Sequence, residues 1–453
     1  MPNTTGQNKS TLRFYTETIE VSRMSAHAFF EAGEDYYKGK RFFWQNKEKT
    51  FTLVGLGHAY VLSNDLEKNR YSDIAQKWDD LCACSLIEKA DVSPILFGGF
   101  SFDPSNNISS EWNSFPSSFF AVATFQLVIQ DDQAFVSIHH ITEEEDSSAA
   151  FERLRIERDT LIHTAQVKEL KVHKKPQLLQ REDRLKEEYL SAVETVTERI
   201  RNKEVNKVVI GRSLKLTFDD IFSPSTAIYN ASMEQPESYL FGLEKEDKTF
   251  FGATPERLVK LENGKVESAG LAGSVRRGKD QVEDKKLGDA LLSDNKNLME
   301  HEYVVQMIRK VFEQYCEQVK IPARPKLMKI RDIQHLFTPI EGKIKGSSSL
   351  FEFVEAMHPT PALGGEPRQE AIEIIRESEQ MNRGYYAAPI GWVNAEGDGE
   401  FAVGIRSALI ENQYAYLYAG GGLVSESTSL EEFEETRVKF RPMLRTLGGN
   451  MND

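Results

Sequence analysis

Residues 399–422, GEFAVGIRSALIENQYAYLYAGGG, decide the fold of this chain. Apolar and aromatic residues dominate residues 399–410 and 413–419, and a short polar break at residues 411–412 separates the two runs. This pattern predicts an antiparallel hairpin. The glycines at 420–422 follow the second run directly. Their simplest interpretation is a flexible turn, although three glycines also leave backbone N–H groups open to an anionic group.

Strand patterns recur on both sides of this hairpin and alternate with amphipathic helices. We predict strands within residues 51–62, 94–102, 119–129, 134–141, 207–216, 239–243, 249–252, 257–261 and 265–269, and near Leu327 and His335. We predict helices over residues 66–89, 185–200, 297–319, 367–379 and 430–447. Long antiparallel sheets interrupted by helices imply an α+β class.

The best candidate for a boundary lies near residue 180. Residues 143–179 are charged and lose the strand pattern, and residues 171–180 resemble a connector. We therefore divide the chain into an N-terminal part, residues 1–180, and a sharper second part, residues 181–453.

The bulk composition excludes several classes of protein. The 453 residues carry a net charge of −14, which argues against binding to nucleic acid or to an anionic membrane surface. No stretch has the length of a membrane span or of a signal peptide. The 3 cysteines form no disulfide framework, so a reducing cytoplasm is expected. The oligomeric state cannot be inferred.

Two predicted helices carry clustered acidic residues. Glu432, Glu435 and Lys439 share one face of the last helix, where a solvated salt bridge would also explain them. Glu300 lies at the start of another helix, where the helix dipole alone favours an acid. Clustered carboxylates are also what a hard cation would require.

Three further segments are poorly explained by packing alone. Glu256 follows a proline in a tight turn between two strands, although a solvent-facing acid would fit there too. Lys207 opens an otherwise apolar strand, where a snorkelling edge lysine is the alternative. Residues 358–365, HPTPALGG, form an irregular loop fixed by prolines and glycines.

Together these segments resemble the chorismate-utilising enzymes, the family of isochorismate, salicylate, anthranilate and aminodeoxychorismate synthases. The resemblance covers roughly residues 185–447. It is carried, in order, by KVVIGR, GATPERL, SAGLAGSVRRG, MEHEYVV, IQHLFTPIEG, HPTPALGG, FAVGIRSAL, YAGGGLV and EEFEETRVKF. It implies one α+β unit with two large antiparallel sheets stacked face to face and helices outside. The N-terminal part would then supply strands to the same sheets.

Residue types at a few positions imply the isochorismate-forming branch. Aminodeoxychorismate synthases place a nucleophilic lysine where Ala272 stands, and anthranilate synthases tend to carry glutamine where Lys207 stands. Salicylate synthases usually place a threonine near Ala362, so the pair Ala362 and Leu363 favours the isochorismate-forming type.

The resemblance also assigns roles in a reaction that adds water at C2 of chorismate while the C4 hydroxyl leaves. Lys207 would be the general base and Glu256 the general acid. Mg²⁺ would be held by Glu300 and Glu435, with Glu432 close by. The family often has another acid three residues before Glu300, but this chain has Asn297 there.

The remaining candidates would bind the substrate. Arg406 and Lys439, with the backbone N–H groups near Gly420 and Gly422, would hold the chorismate carboxylates, and His335 would line the pocket. Two alternatives stay open. A salicylate synthase would also eliminate pyruvate, and a catalytically silent homologue would bind chorismate without turning it over.

Overall fold

The computed structural model describes residues 12–85, 92–106, 111–144, 148–167 and 175–449. The predicted α+β class is confirmed, because the strands form two large antiparallel sheets with helices outside them. The strands are β1 Arg13–Val21, β2 Arg41–Gln45, β3 Phe51–Leu56, β4 Tyr60–Asn64, β5 Ile95–Phe100, β6 Ser118–Val122, β7 Phe125–Gln130, β8 Gln133–Thr142, β9 Leu178–Asp183, β10 Lys207–Phe218, β11 Tyr239–Lys245, β12 Lys248–Thr254, β13 Arg257–Glu262, β14 Lys265–Arg276, β15 Cys316–Lys320, β16 Lys326–Lys329, β17 Ile333–Ile344, β18 Gly365–Glu366, β19 Pro389–Asn394, β20 Gly399–Val403, β21 Ser407–Glu411 and β22 Tyr414–Leu423.

The helices cover the outer faces of the two sheets. They are α1 Ala26–Ala32, α2 Glu34–Tyr37, α3 Arg70–Ala83, α4 Ser148–Val167, α5 Lys186–Arg201, α6 Pro224–Glu234, α7 Gln281–Leu291, α8 Asn295–Tyr315, α9 Leu350–Met357, α10 Arg368–Ser378 and α11 Ser429–Thr446. Their apolar stripes, such as Val304, Ile308 and Phe312 of α8, are buried. Burial of such stripes stabilises these helices more than intrinsic propensity does.

The first sheet has 12 strands in the order β1-β8-β7-β3-β2-β11-β12-β21-β22-β10-β18, with β9 also paired to β10. The second has 10 strands in the order β15-β17-β14-β13-β20-β19-β5-β6-β4, with β16 also paired to β17. An aromatic layer joins their inner faces. The rings of Phe42 in β2 and Phe97 in β5, for example, stack with centroids 4.8 Å apart. Strands from both sides of residue 180 pair within each sheet, as β2 does with β11 and β5 with β19.

The chain changes sheets inside several segments that look continuous in the sequence. Residues 51–62 divide into β3 of the first sheet and β4 of the second, with Gly57 between them at φ 72°. The predicted strand over residues 399–410 is likewise wrong as one element. It divides into β20 and β21, which lie in different sheets, and Arg406 at the crossing has φ 49°. The predicted hairpin is therefore β21 with β22.

Two other boundaries differ from the predictions. Helix α8 ends at Tyr315, not near residue 319, because the chain from Cys316 pairs with β17 as strand β15. Residues 178–183, partly assigned to the connector, form strand β9 against β10. Two stretches of the predicted elements lie outside the described residues. They are residues 171–174 of the connector and residues 86–89 of the helix predicted over residues 66–89.

Candidate active site

A cavity of about 220 Å³ lies between β10 and β22 of the first sheet and β14 of the second. Helices α8 and α11 contribute the acidic side chains on its wall. Every predicted site residue except Lys207 lines this cavity: Glu256, Glu300, His335, Ala362, Leu363, Arg406, Gly420, Gly422, Glu432, Glu435 and Lys439. The structure thus brings together residues that are up to 183 positions apart, from Glu256 to Lys439.

Glu256 lies where the chain crosses from β12 in the first sheet to β13 in the second. Its carbonyl accepts a hydrogen bond of 3.0 Å from Val403, which precedes the neighbouring crossing. The residue is 7% exposed, and no described group of the protein hydrogen-bonds to its carboxyl. Burial raises the pKa of Glu256 to about 8, while the positive charge of Lys207 acts in the opposite direction. A protonated carboxyl can therefore persist at neutral pH.

Lys207 lies behind the cavity wall and not on it. Its side chain is fully buried, and Nζ donates a 2.7 Å hydrogen bond to Oε1 of Glu300. Gly422 leaves room for this pair, because a Cβ there would lie 2.8 Å from Cε of Lys207. Since the charge of Lys207 acts on the pKa of Glu256, the two predicted catalytic groups belong to one electrostatic environment. The ion pair with Glu300 was not foreseen from the sequence.

Two acidic residues of α11 face the same cavity, and their pKa values are shifted in opposite directions. Burial and the neighbouring charge of Glu435 raise the pKa of Glu432 to about 7. Its Oε1 accepts a 2.7 Å hydrogen bond from Ser427, whereas Oε2 is buried and has no partner in the described chain. Glu435 is more exposed, and Lys439 at 2.7 Å lowers its pKa.

The carboxylate oxygens are the type of ligand that a hard cation prefers, but they do not form a complete coordination shell. Among the described residues, no group of three or more His, Cys, Asp or Glu side chains could enclose a metal ion. The unpartnered oxygen of Glu432 offers one free ligand beside the cavity. Mg²⁺ usually keeps several waters and takes only one or two protein carboxylates, so few ligands suffice.

The three glycines form the end of strand β22, so the simple prediction of a turn is wrong. Gly420, Gly421 and Gly422 pair with β10, whereas β21 pairs only as far as Tyr418. Among the described strands, none pairs with the other edge of the glycine segment. A Cβ at Gly421 would lie 2.6 Å from Oε2 of Glu432, so glycine lets the acids approach the sheet closely.

Two cations and a histidine occupy another part of the wall. Arg406 donates from Nη1 to the carbonyl of Lys439 at 2.9 Å, and Lys439 donates from Nζ to the carbonyl of Gly420 at 2.8 Å. Burial lowers the pKa of His335 to about 3, and the positive charges of Arg406 and Lys439 act in the same direction. Its Nε2 is buried without a partner in the described residues, which leaves a neutral imidazole free to contact a ligand.

A buried ion pair holds the loop that carries Ala362 and Leu363. Arg383 donates to the carbonyls of Leu363 and Val209 at 2.9 and 2.7 Å and to Oε2 of Glu379 at 2.9 Å. Glu379 also accepts a 2.6 Å hydrogen bond from the backbone of Gly211. The loop is thereby tied to strand β10.

Sequence reasoning missed several cavity residues. Lys296 and Tyr386 line the wall, and nothing in their local pattern distinguishes them from ordinary surface or core positions. Asn297, noted from the sequence only as the replacement of a family acid, also lines the cavity, and its Oδ1 accepts a 3.2 Å hydrogen bond from Ser274 beyond the bulge in β14. His301 approaches the same bulge through the carbonyl of Ala272 at 3.2 Å. His301 lies within the motif MEHEYVV, but the motif does not show that Ala272 and Thr338 are its hydrogen-bonding partners.

The two stacked sheets and the acidic cavity between them are the features that the family resemblance implied. A comparison with family models identifies the same family. Residues 3–448 match the family model described as chorismate binding enzyme, so the chain belongs to the chorismate binding enzymes. The family assignment made from the motifs is confirmed.

Individual relatives are similar over most of the chain. It is 40% identical to the isochorismate synthase MenF of Bacillus subtilis over 451 residues, which cover 98% of this chain and 94% of that protein. It is 32% identical to the salicylate biosynthesis isochorismate synthase of Pseudomonas aeruginosa over 90% of this chain and 85% of that one.

A solved structure shows the same fold. The menaquinone-specific isochorismate synthase MenF from Escherichia coli superimposes with a TM-score of 0.80 at 23% identity, over 96% of this chain and 94% of that chain. In the part of the chain that the structure describes, no helix is long and apolar enough to cross a membrane.

Proposed function

We propose that the chain converts chorismate to isochorismate by adding water at C2 of the ring while the C4 hydroxyl leaves. The observation that carries the proposal is Glu256, a buried carboxyl on the cavity wall without a hydrogen-bonding partner in the described chain. Hydroxide is a poor leaving group, so the reaction requires a proton donor of this kind. Full-length similarity to isochorismate synthases supports the same reaction.

Lys207 is the proposed base, and its ion pair bears on how it works. An amine accepts a proton from water only when it is neutral. Nζ of Lys207 donates a 2.7 Å hydrogen bond to Glu300, so the amine must turn away from this carboxylate before it can accept a proton from water. Binding of chorismate and a cation beside Glu300 would compete for the same carboxylate.

Arg406, Lys439 and His335 are proposed to bind and orient the substrate. Arg406 and Lys439 supply positive charge for the carboxylates of chorismate, and the unpartnered Nε2 of His335 supplies a neutral hydrogen-bonding group. The edge of β22 that pairs with no described strand near Gly420 and Gly422 offers backbone groups to the same anions.

Mg²⁺ is the proposed cofactor, held by Glu300 and Glu435 with Glu432 close by. It would neutralise the ring carboxylate of chorismate. Removal of divalent ions with excess chelator should abolish turnover, and added Mg²⁺ should restore it. Chorismate turnover that persists at full rate in chelator would remove the metal from the proposal.

Product analysis tests the reaction itself. Purified protein incubated with chorismate and Mg²⁺ should yield isochorismate, detected by chromatography against standards. Salicylate with pyruvate would instead show a pyruvate-eliminating enzyme, and bound but unchanged chorismate would show a silent homologue.

We further propose that the enzyme works in the cytoplasm and that its product serves menaquinone synthesis. The three cysteines are free, as a reducing compartment requires. The long N-terminal part is shared in fold with a menaquinone-specific enzyme. Deletion of the gene should lower cellular menaquinone, and unchanged menaquinone would contradict the assignment.

A further inference from the structure

Glu256 borders a second space besides the substrate cavity. A smaller cavity of about 70 Å³, here called the rear cavity, lies on the other side of Glu256. Pro255, Glu256 and Leu271 line both spaces, so these three residues form the partition between them. Glu256 is thus the one titratable residue that lines both cavities in the described chain.

The rear cavity has a mixed wall, in which charged side chains alternate with apolar ones, and it leads toward solvent. Its wall includes Lys47, Arg257, Glu267 and Glu341. The side chains of Lys47 and Glu341 are 30% and 43% exposed, so the outer end of the cavity reaches the surface. A cavity holds ordered water when it is polar and exceeds roughly 10–15 Å³ of water-sized space. The rear cavity exceeds that volume, and Arg257, Glu267 and Ser268 on its wall are side chains that can hydrogen-bond to water.

The proposed reaction creates a need for such a path. Glu256 gives its proton to the departing C4 hydroxyl, which leaves as water, while Lys207 takes one proton from the attacking water. The reaction is neutral overall, but it leaves Glu256 as a carboxylate and Lys207 as an ammonium. Before the next turnover, Glu256 must gain a proton and Lys207 must lose one, and as long as the ring fills the substrate cavity this exchange needs another route.

We propose that the rear cavity is a water-filled path through which Glu256 regains its proton from solvent. This inference rests on the proposed function and adds the route that resets the acid. Water in the rear cavity receives protons at the surface and passes them to the Glu256 carboxylate. The substrate side can therefore stay closed to bulk water during the reaction.

Ala269 offers a way to block the path without touching the substrate cavity. It lies on β14, lines the rear cavity and does not line the substrate cavity. The series Ala269→Ser, Ala269→Val and Ala269→Leu fills the space progressively, and the serine variant serves as the matched control that keeps it open. Valine suits a strand and carries the test if the leucine variant does not fold.

Steady-state kinetics in H₂O and D₂O, with chorismate affinity measured by binding, give the readout. We expect kcat to fall by about tenfold in the leucine variant and less in the valine variant, with unchanged chorismate affinity. The solvent isotope effect on kcat should rise along the series because reprotonation becomes limiting. Folded valine and leucine variants with unmodified kcat and isotope effect would overturn the path. If the unmodified chain makes no isochorismate, the proposed function fails instead.

Discussion

Two buried glutamates, Glu379 and Glu256, differ in their hydrogen-bonding partners. The difference distinguishes a structural acid from a candidate catalytic acid. Glu379 is fully buried beneath the cavity loop, and Arg383 and the backbone of Gly211 satisfy its carboxylate. Glu256 is also buried, but no described group hydrogen-bonds to its carboxyl, and burial raises its pKa to about 8. Burial alone therefore does not mark a catalytic acid. A buried acid that the protein leaves unsatisfied is the better indicator.

The comparison predicts its largest effect on turnover at Glu256. Glu256→Gln keeps the shape but removes the proton donor, so kcat should fall by about 10²–10⁴-fold. Steady-state assay of isochorismate formation measures this loss, and Glu262→Gln on the exposed end of β13 is the matched control. The fold should remain intact, because no described partner of the carboxyl is lost. Near-normal turnover would remove Glu256 from the mechanism.

For the ion pair of Glu379 with Arg383, the main effect is expected on stability and not on turnover. Arg383→Met leaves Glu379 buried without its cation, which should lower the free energy of unfolding by about 3–5 kcal/mol. Chemical denaturation measures the loss. The double variant Glu379→Leu with Arg383→Met should recover part of it, because no unpaired charge remains, although the carbonyls of Leu363 and Val209 lose a donor. A single variant as stable as the unmodified protein would show that the pair contributes little.

The sequence allowed prediction of most elements but not of how they are distributed between sheets. Apolar alternation continues through residues 399–410, so nothing local shows that β20 and β21 belong to different sheets. The change of sheet depends on tertiary packing around Arg406, whose φ of 49° is unusual for arginine. Side-chain identities predicted the members of the site through family motifs. The ion pair of Lys207 with Glu300 depends on strand and helix placement, which the motifs do not contain.

The pH dependence sharpens the contrast for Glu256. If its proton is needed, kcat/KM should be independent of this group below pH 8 and fall about tenfold per unit above it, because kcat/KM reports the ligand-free enzyme. A pH–rate profile measured with chorismate well below its KM tests this limb. An unchanged rate well above pH 8 would contradict an acid with this pKa.

The contribution of Glu256 to stability should also fall as the pH rises. The folded pKa of Glu256 lies above its unfolded value of 4.5, so the folded state binds the proton more tightly. The contribution of this group to stability is complete below pH 4.5 and is lost as the pH rises through about 8. The difference in unfolding free energy between Glu256→Gln and the unmodified protein should therefore shift in favour of the variant over this range.

The smallest expected effect is at Asn297, where a polar group is satisfied by the protein although it lines the cavity. Its Oδ1 accepts from the backbone of Ser274, and its Nδ2 donates to Asp294 at 2.9 Å. Because the protein satisfies its polar groups, as it does for Glu379, we expect Asn297 to position the cavity wall and not to take part in the reaction. Asn297→Ala should lower stability by about 1 kcal/mol and raise the KM for chorismate more than it lowers kcat. Asn297→Asp keeps the acceptor for Ser274 but sets a carboxylate against Asp294, so it should restore the KM only in part. A loss of kcat as large as that of Glu256→Gln would show that satisfied partners do not exclude a residue from the chemistry.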